Sequence, residues 1–414
     1  MPLPPTHTTV MANPIFSGGT EAEWRDACER FLKGRDFDTL VRTTEDGIER
    51  GPLFTAEDLP RTLARLDRTE APNLDGRPWH VMVPVRESDL DRANAQALEN
   101  LMGGASVLRI EDSVPVERRA DLERLLDGVL CDLCPIVFAP NSRNRDVAEI
   151  ALRTERLGLS HVCLGLDPSE VDNLTPYPDG WRALTITSAR LHEAGAGPVL
   201  ELAVLAAEVA DAFGKFGKDA ASSLVIEFSA DQDAHVGIAK FRAARRIMTR
   251  IAEAFEASTA IPIHAITSLR MMQAHDPWTD ILRVTNAVFG AVVGGADYIL
   301  ARPFTDALGP ATAFSHRIAR NIQLLMMEES HLGQVRDPAL GSHFHESLSD
   351  SLARSAWSQF QEIEGAGGIE NFTTSGRLAE HLDRDKAARA DAPVIGVTLH
   401  PRPEDVPLPE VGNA

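Results

Sequence analysis

Short apolar runs rich in β-branched residues alternate with longer amphipathic segments through most of the chain. Each run is bounded by polar residues, glycine or proline, which is typical of buried strands in a parallel sheet. The runs that predict strands are Trp79–Val85, Ser106–Glu111, Pro135–Ala139, Ser160–Gly165, Leu184–Ala189, Ser222–Ala230, Ile261–Ser268 and Ala296–Phe304. Eight strands that alternate with helices over roughly 230 residues predict an α/β fold, the (β/α)8 TIM barrel.

The intervening segments carry apolar residues at steps of three and four, which is the spacing of helices that bury one face. These segments predict helices at Asp89–Met102, Val116–Leu126, Val199–Phe213, Val236–Phe255, Trp278–Val292 and Ala311–Glu329. The helix Trp278–Val292 is followed by the pair Gly294 and Gly295, a common signal for a helix end, and then by the last strand.

Extensions are predicted on both sides of the barrel. Residues 1–75 are polar and broken by prolines, and we expect them to form an N-terminal arm with one short helix at Glu21–Lys33. The barrel is predicted to occupy residues 76–370, followed by a C-terminal helix and tail at 371–414. Elements predicted towards the C-terminus are helices at His343–Glu364 and Arg377–Ala390 and a strand at Val394–Leu399.

The charge of the chain excludes several classes of partner. The chain has 41 lysines and arginines against 61 aspartates and glutamates, which gives a formal net charge of −20. Such a surface repels nucleic acid and anionic membranes, so we expect neither as a partner. The first residues lack the basic and apolar segments of a secretion signal, and no apolar run is long enough to cross a bilayer. We therefore expect a cytoplasmic protein.

The cysteines, four in number, are too few and too scattered for a disulfide framework. Cys131 and Cys134 have the spacing of a thiol or metal pair, but no second pair supplies the remaining ligands of a zinc site. We interpret them as small buried residues and expect no metal site.

A series of motifs resembles the methylmalonyl-CoA mutase family. They are HxxTSxRMM at residues 264–272, DPWTDILR at 276–283, VGGAD at 293–297, RIARNIQ at 317–323, EESHLGQVRDP at 328–338 and QEIEGAGG at 361–368. The forms TSLRMM, VGGAD and EESHLG are more similar to the small, non-catalytic subunit of that family than to its large, catalytic one. A pattern at Trp24–Ile48 also resembles the family's N-terminal arm, which wraps the partner subunit.

The resemblance implies a heterodimeric, cobalamin-dependent enzyme that interconverts methylmalonyl-CoA and succinyl-CoA. Family members that bind cobalamin carry a second α/β domain with a D-x-H-x-x-G loop, and no such domain follows Gly368 here. The segment from Asp233 to Gly237 has the different spacing D-x-H-x-G. We therefore expect this chain to bind no cofactor directly, and adenosylcobalamin to be carried by the partner chain.

Positions that carry catalytic residues in the family differ in this chain. Catalytic members have R-Q-Y-A-G-F on the first strand, and its tyrosine packs against the reacting acyl group. Alignment without gaps from Trp79 puts Met82 at the arginine and Pro84 at the tyrosine. Their fifth strand ends in G-Y-H-x-Q-E-A-G, where Ala189 and Arg190 stand at the tyrosine and the histidine. A histidine shares its proton near neutral pH and an arginine does not, so we expect no catalytic residues.

Two histidines remain as candidate site residues. His192 lies two residues beyond the arginine, on the same side of an extended chain, so it is a candidate for the missing catalytic histidine. Its competing interpretation is a residue at the start of a helix or on the surface. The family's seventh strand has H-C-Q-T-S-G, whose histidine and glutamine face cobalamin. His264, Thr267 and Ser268 match this motif and are candidate cofactor contacts, although Ile266 replaces the glutamine and a buried core histidine is the competing interpretation of His264.

Three functions are compatible with these observations. The first is a non-catalytic small subunit paired with a catalytic methylmalonyl-CoA mutase chain. The second is the substrate-binding subunit of a split acyl-CoA mutase that works with a separate cobalamin-binding chain, and the third is an acyl-CoA-binding module without turnover. An open axial channel needs small, polar inward residues, whereas a scaffold barrel is filled by bulky ones. The sequence contains both kinds near the strands: Thr185, Thr187, Ser222 and Ser223 against Val225, Ile226, Ile263 and Ile299.

The segment KFRAARRIM at residues 240–248 also matches the family. Its apolar residues recur at helical spacing, so we interpret it as an outer barrel helix with a solvated charged face, in preference to a patch that binds anions.

Overall fold

The computed structural model describes residues 19–60, 76–141, 144–174, 177–257 and 260–412. The chain divides into two compact units, Met1–Leu53 and Phe54–Ala414, and the barrel lies in the second. Residues 1–18 and 61–75 of the predicted arm lie outside the described residues, so the arm boundary at residue 75 stays a prediction.

The first unit contains a helix, a turn of 3-10 helix and a two-stranded antiparallel sheet. Thr20 and Glu23 form a capping box at the start of the helix. The edge of the Trp24 ring packs against Phe37, with ring centroids 6.0 Å apart. The bounds are α1 Glu21–Leu32, the 3-10 helix Phe37–Leu40, β1 Arg42–Thr43 and β2 Glu49–Arg50. The pattern that resembles the family's arm therefore corresponds to a defined local structure.

Eight parallel strands close into a barrel, which confirms the predicted (β/α)8 fold. Successive strands are neighbours around the barrel, and the last strand closes it by pairing with the first through Tyr298 and His80. In chain order the strands are β3 His80–Val85, β4 Val107–Ile110, β5 Ile136–Phe138, β6 Val162–Leu166, β7 Trp181–Thr187, β8 Leu224–Ala230, β9 Ile263–Thr267 and β10 Tyr298–Leu300.

Helices cover the outside of the barrel, and the six predicted between the strands and after the last one are all present. Their bounds and those of the other helices are α2 Leu90–Met102, α3 Arg119–Leu125, α4 Asn144–Leu152, α5 Ala189–Glu193, α6 Pro198–Phe216, α7 Ala220–Ser223, α8 Ala234–Ala254, α9 Pro277–Gly294, α10 Ala313–Glu328, α11 His343–Gly365, α12 Gly368–Thr374 and α13 Arg377–Arg389. The D-x-H-x-G segment begins α8, where the Asp233 carboxylate accepts hydrogen bonds from two backbone N–H groups of the first turn.

Two predictions at strand ends are wrong. The strand predicted at Leu184–Ala189 ends at Thr187, because Ala189 already begins α5. The strand predicted at Val394–Leu399 is instead a turn, because the carbonyl of its first residue accepts hydrogen bonds from three of the following backbone amides. An isolated bridge joins its second and last residues.

The inside of the barrel is filled by side chains from seven of its strands. The rings of His80 and His264 lie 4.3 and 4.5 Å from the ring of Tyr298, the first residue of β10. One buried cluster contains Met82, Val107, Val137, Cys163, Val225, Ile266, Tyr298 and Leu300. Ser222 and Ser223, two of the small residues, were predicted to begin the strand Ser222–Ala230 but lie in α7, and β8 starts at Leu224. Bulky side chains therefore occupy the barrel axis.

A bulge between β6 and β7 shapes one side of the barrel. The register of this strand pair shifts between Cys163 and Leu166. Gly165 lies within the shift with a φ of +68°, and a Cβ at this position would be 2.5 Å from the carbonyl oxygen of Phe138. Only glycine fits both the backbone conformation and the close approach.

Candidate functional site

The C-terminal ends of the barrel strands surround a cavity of about 560 Å³, which we call the mouth cavity. Catalytic residues lie at this end of the barrel in enzymes of this fold. Ile266 and Leu300 contribute apolar surface to its lining. Its charged lining residues are Arg86, Arg109, Arg190, Arg302, Glu111, Asp112, Glu193 and Glu227.

An ion pair between Arg109 and Glu227 crosses the barrel at the mouth cavity. Arg109 Nη2 lies 3.1 and 3.2 Å from the two carboxylate oxygens of Glu227, and Arg109 also pairs with Glu111. The strands β4 and β8 stand opposite each other in the barrel order, so this pair spans the axis. Burial alone would lower the pKa of Arg109, but the carboxylates of Glu227 and Glu111 outweigh it and raise that pKa, so the guanidinium stays charged.

The two first-strand positions that differ from catalytic members point into the barrel. Met82 is fully buried in the interior cluster, and buried Pro84 is in register with Arg109. Because side chains alternate along a strand, Pro84 points to the same side as Met82. Neither side chain donates a hydrogen bond or exchanges a proton.

Ala189 and Arg190 begin the short helix α5, and both line the mouth cavity. Arg190 is exposed, and its Nη2 donates a hydrogen bond to the carbonyl of Pro140 at 3.3 Å. Arginine side chains do not give up their proton in proteins. The residue at the family's histidine position therefore reaches the site but is unsuited to general acid or base catalysis.

The prediction that His192 lies on the same side of an extended chain as Arg190 is wrong. Both residues are in α5, where side chains two residues apart point in different directions. His192 is 1% exposed and is not part of the mouth cavity lining. Its Nδ1 lies 3.1 Å from Glu201 Oε2 on α6, and its Nε2 lies 3.0 Å from Ser268 Oγ after β9.

A closed network of charged groups surrounds His192. Glu201 accepts hydrogen bonds from Lys240 and from the backbone N–H of Ser229, and Asp231 Oδ2 lies 3.4 Å from His192 Nε2. Burial would raise the pKa of Glu201, but Lys240 and His192 outweigh it and lower this pKa to about 2. Burial would lower the pKa of His192, yet the carboxylates of Glu201 and Asp231 raise it above its usual value. Glu201 therefore stays ionised, and His192 holds its proton more tightly than a free histidine.

Ser268, His192 and Glu201 have the order of a hydrolytic triad, but their burial makes them unsuited to catalysis. Ser268 is 0% exposed, so its hydroxyl is closed to any substrate. The segment after β9 instead binds α5 and the turn that follows it, because Arg270 donates hydrogen bonds to the carbonyls of His192 and Ala196. The TSxR part of the family-like motif therefore has a structural role here.

The seventh-strand candidates lie inside the barrel or its wall. His264 packs against Tyr298, and neither of its ring nitrogens has a hydrogen-bond partner among the described residues. Burial, reinforced by nearby cationic side chains, lowers the pKa of His264 well below its usual value, so the ring is neutral. Thr267 Oγ1 accepts a hydrogen bond from the backbone N–H of Arg302 at 2.8 Å. Of this strand end, Ile266 lines the mouth cavity, whereas His264, Thr267 and Ser268 do not.

Cys131 and Cys134 are buried thiols, as predicted. Burial raises the pKa of Cys131 to about 11 and that of Cys134 to about 12, so both stay protonated at neutral pH. In the part of the chain that the structure describes, no three or more histidine, cysteine or acidic side chains are arranged to hold a metal ion. No helix in the same part combines the length and apolar character needed to span a membrane.

The prediction of a solvated charged face on the segment 240–248 is wrong. In α8, Lys240, Arg242 and Arg245 are buried. The reason is that α11 packs over α8 and supplies Glu346 to one of these cations. Each of the three has a carboxylate partner, as buried charges require. The ion pairs are Lys240–Glu201, Arg242–Asp337, Arg242–Glu346 and Arg245–Asp297.

Neither Arg109 with Glu227 nor Glu201 with Lys240 is among the residues predicted from the sequence. A signal is present, because each of the two glutamates and Arg109 interrupts a strongly apolar run: SVLRIE, LVIEFSA and VLELAVLAAEV. Charged residues in buried elements are normally paired. The pattern along the chain does not name the partner, because the partner comes from another strand or helix.

These features define a (β/α)8-barrel protein whose axis is closed at the end where barrel enzymes hold their substrates. A family model described as methylmalonyl-CoA mutase matches residues 175–396. The chain belongs to the methylmalonyl-CoA mutase family, which confirms the resemblance carried by its motifs.

The chain is similar over most of its length to proteins described as methylmalonyl-CoA mutase small subunits. It is 35% identical to the protein from Streptomyces virginiae, over 93% of this chain and 71% of that protein. It is 32% identical to the one from Propionibacterium freudenreichii subsp. shermanii, over 93% of this chain and 68% of that protein. A probable small subunit from Mycobacterium bovis is 36% identical over 76% of this chain, which spans 58% of that relative.

Proposed function

We propose that this chain is a non-catalytic component of a heterodimeric, cytoplasmic methylmalonyl-CoA mutase and stabilises its catalytic partner. In this proposal the partner is a large chain that carries adenosylcobalamin and interconverts methylmalonyl-CoA and succinyl-CoA. The similarity to proteins described as small subunits supports the assignment to such an assembly. An obligate interface of this kind buries on the order of 2,000 to 5,000 Å².

The observation that carries the non-catalytic role is the closed barrel axis. The Arg109–Glu227 pair joins opposite strands, and the buried cluster with Met82 and Tyr298 fills the interior. A coenzyme A arm that entered along the axis would have to separate a buried ion pair and displace packed side chains, and both steps are costly. The same observation disfavours an acyl-CoA-binding module that uses the barrel axis.

The residues of the mouth cavity do not fit a cobalamin held by this chain alone. Imidazole is a common protein ligand for transition metals. Among the described residues no histidine lines the mouth cavity, and His192 and His264 are enclosed elsewhere. We therefore assign adenosylcobalamin to the partner in this proposal.

A split acyl-CoA mutase is the second candidate, with this chain as the substrate-binding subunit and a separate chain for cobalamin. Arg190 favours it, because an exposed arginine in the mouth cavity is suited to bind a carboxylate of a substrate. In that case the Arg109–Glu227 pair has to open when the substrate binds.

Co-purification of the tagged chain from its native host tests the first proposal. We expect a larger cobalamin-binding chain at a one-to-one ratio, mutase activity in the complex, and no activity of the isolated chain with adenosylcobalamin. Turnover by the isolated chain, or by its mixture with a small cobalamin-binding protein, would overturn the non-catalytic role.

Substitution of Arg190 separates the two candidates in the purified complex. If the chain is non-catalytic, Arg190→Ala leaves kcat/KM of the complex within about twofold, because the residue touches no reacting group. If the chain binds substrate, kcat/KM falls by roughly 10²-fold or more, as for the loss of a group that contacts the reacting centre. Arg153→Ala is a matched control, since Arg153 is an exposed arginine outside the mouth cavity.

A further inference from the structure

A second cavity, of about 610 Å³, lies beside the mouth cavity, and we call it the side cavity. It is enclosed by the C-terminal ends of β6 and β7, the second half of α6 and the start of α12. The side chains of Ile186, Ala212 and Ile369 give it an apolar wall. The side cavity shares Asp112, Thr187 and Arg190 with the mouth cavity, whereas its wall on α6 belongs to the side cavity alone.

The side cavity carries uncompensated negative charge. Five carboxylates and two cations line it, which gives a formal charge of 2 − 5 = −3. Two of the carboxylates, half-buried Glu208 and exposed Asp211, form neither an ion pair nor a hydrogen bond with any residue in the described ranges. The two cations, Lys215 and Arg190, donate to the backbone carbonyls of Pro168 and Pro140 at 3.0 and 3.3 Å and form no ion pair with a carboxylate of the described residues. The remaining carboxylates are Asp112, Asp167 and Glu170.

A hydroxyl that opens to the same cavity also lacks a partner among the described residues. Thr185 on β7 is 5% exposed and lines the side cavity. Its hydroxyl makes no hydrogen bond to any residue that the structure describes. Because polar groups in folded proteins are nearly always hydrogen-bonded, this hydroxyl takes its partner from the contents of the side cavity.

The arrangement favours an organic cation over a metal ion. No three acidic side chains among the described residues converge closely enough to hold a metal, and Ca²⁺ and Mg²⁺ need several oxygen ligands around one point. An alkylammonium group carries three N–H donors and an apolar chain. We infer that the side cavity binds a small aliphatic amine, with its ammonium group between Glu208 and Asp211 and its chain against Ile186, Ala212 and Ile369.

The raised pKa of Glu208 is consistent with a site that lacks a bound cation. Burial and the neighbouring charges of Asp167 and Asp211 raise the pKa of Glu208 to about 7. Of the other charged lining residues, Glu170 and Asp112 add to the negative charge, and Lys215 and Arg190 oppose it. A bound ammonium group lowers this pKa again, so binding releases protons near neutral pH.

Calorimetric titration of the full chain with 1,4-diaminobutane tests the inference, with 1-butanol as an uncharged probe. We expect saturable one-to-one binding of the diamine, no binding of the alcohol, and release of protons to the buffer. Glu208→Gln and Asp211→Asn should each weaken binding at least tenfold, and Thr185→Val should weaken it several-fold.

The control variant is Glu253→Gln, which removes the same charge from an exposed position of α8. The control matters because a chain with a net charge of −20 attracts any cation weakly. We expect the control to bind the diamine within about twofold of the unmodified chain. Binding that does not saturate, or that is equally strong in Glu208→Gln and Glu253→Gln, would overturn the inference.

The same titration on the co-purified complex identifies the source of the amine. If the natural ligand is a free amine, we expect the complex to bind the diamine as tightly as the isolated chain does. If the ammonium group belongs to a lysine of the partner chain, we expect the site to be already filled in the complex and Glu208→Gln to weaken assembly. Both results support an alkylammonium site, whereas binding without any dependence on Glu208 in either form contradicts it.

Discussion

Arg109 and Glu227 come from opposite strands of the barrel and meet across its axis, with their closest nitrogen and oxygen atoms 3.1 Å apart. Loss of one partner leaves the other charge buried without compensation. We therefore expect Glu227→Leu and Arg109→Met each to lower the free energy of unfolding by about 3–5 kcal/mol. The double variant with Arg109→Met and Glu227→Leu should recover most of this loss, because apolar residues often replace a buried ion pair at little cost.

Urea unfolding of the four chains, analysed as a double-mutant cycle, measures this coupling. A large interaction energy between the two positions is the expected result. If the effects of the two single variants simply add in the double variant, the pair contributes no coupling and the axis is not held closed by it.

The pH dependence of stability reports on His192. Burial opposes protonation, but Glu201 and Asp231 raise the folded-state pKa of His192 above its unfolded value of 6.5. The resulting stabilisation is complete below pH 6.5 and is lost as the pH rises through the raised pKa. We expect the advantage of the unmodified chain over His192→Gln to shrink between about pH 6 and about pH 9 in urea unfolding.

An exposed histidine supplies the control for this measurement. His275→Gln removes an imidazole ring from an exposed position and is measured in the same pH series. A His192→Gln effect that is constant with pH, or that grows as the pH rises, would contradict the assigned ion pairs.

Glu208 should make the free chain less stable at alkaline pH. Burial, Asp167 and Asp211 raise its folded-state pKa to about 7 from a usual 4.5, so the folded state favours the protonated form, and this stabilisation is lost as the pH rises through 7. Glu208→Gln stays neutral, so we expect it to be more stable than the unmodified chain at about pH 8, by ~1–2 kcal/mol after allowance for partial exposure. Thermal unfolding at about pH 5 and about pH 8 tests this. The stability advantage of Glu208→Gln over the unmodified chain should be smaller at the lower pH.

Alanine substitutions at Gly165 and Gly158 separate the energetic cost of backbone strain from the cost of steric contact. Both have positive φ, +68° and +60°, but a Cβ at Gly165 would lie 2.5 Å from the carbonyl oxygen of Phe138, whereas nothing lies within 4 Å of one at Gly158. Gly158→Ala should lower the free energy of unfolding by roughly 1–2 kcal/mol. Gly165→Ala should lose about 1–3 kcal/mol more. Equal losses in urea unfolding would show that the bulge relaxes around the added methyl group.

The barrel itself was predictable because its strands repeat a local signal. Runs such as Ile261–Ser268 and Ala296–Phe304 are apolar enough to be buried on both faces, and the helix between them has a clear period. The short helix α5 was not predictable from this signal, because its five residues do not complete two helical turns. The error mattered, since it placed His192 beside Arg190 instead of against Glu201.

The network around the site depends on contacts that sequence patterns do not encode. Glu201 and Lys240 are separated by 39 residues, and Arg109 and Glu227 by 118. Apolar runs interrupted by single charges show that pairing is needed, but the partner follows from the order of strands around the barrel. The same limit applies to Glu208, because the sequence does not show that the fold brings Asp167 close to Glu208 and Asp211.

Restoring the family's residues at the altered positions should not restore activity to this chain alone. Arg190→His puts a titratable group at the mouth cavity, and Pro84→Tyr adds the missing phenol on β3. Both changes leave the Arg109–Glu227 pair across the axis and the cluster around Met82 in place, so a coenzyme A arm still has no path through the barrel. We expect neither Arg190→His nor the double variant to bind or turn over methylmalonyl-CoA with adenosylcobalamin. Arg190→His is the stronger test, because the residue is exposed and its change does not disturb folding. Measurable turnover by that variant would show that the axis opens and that the barrel is a dormant substrate site instead of a scaffold.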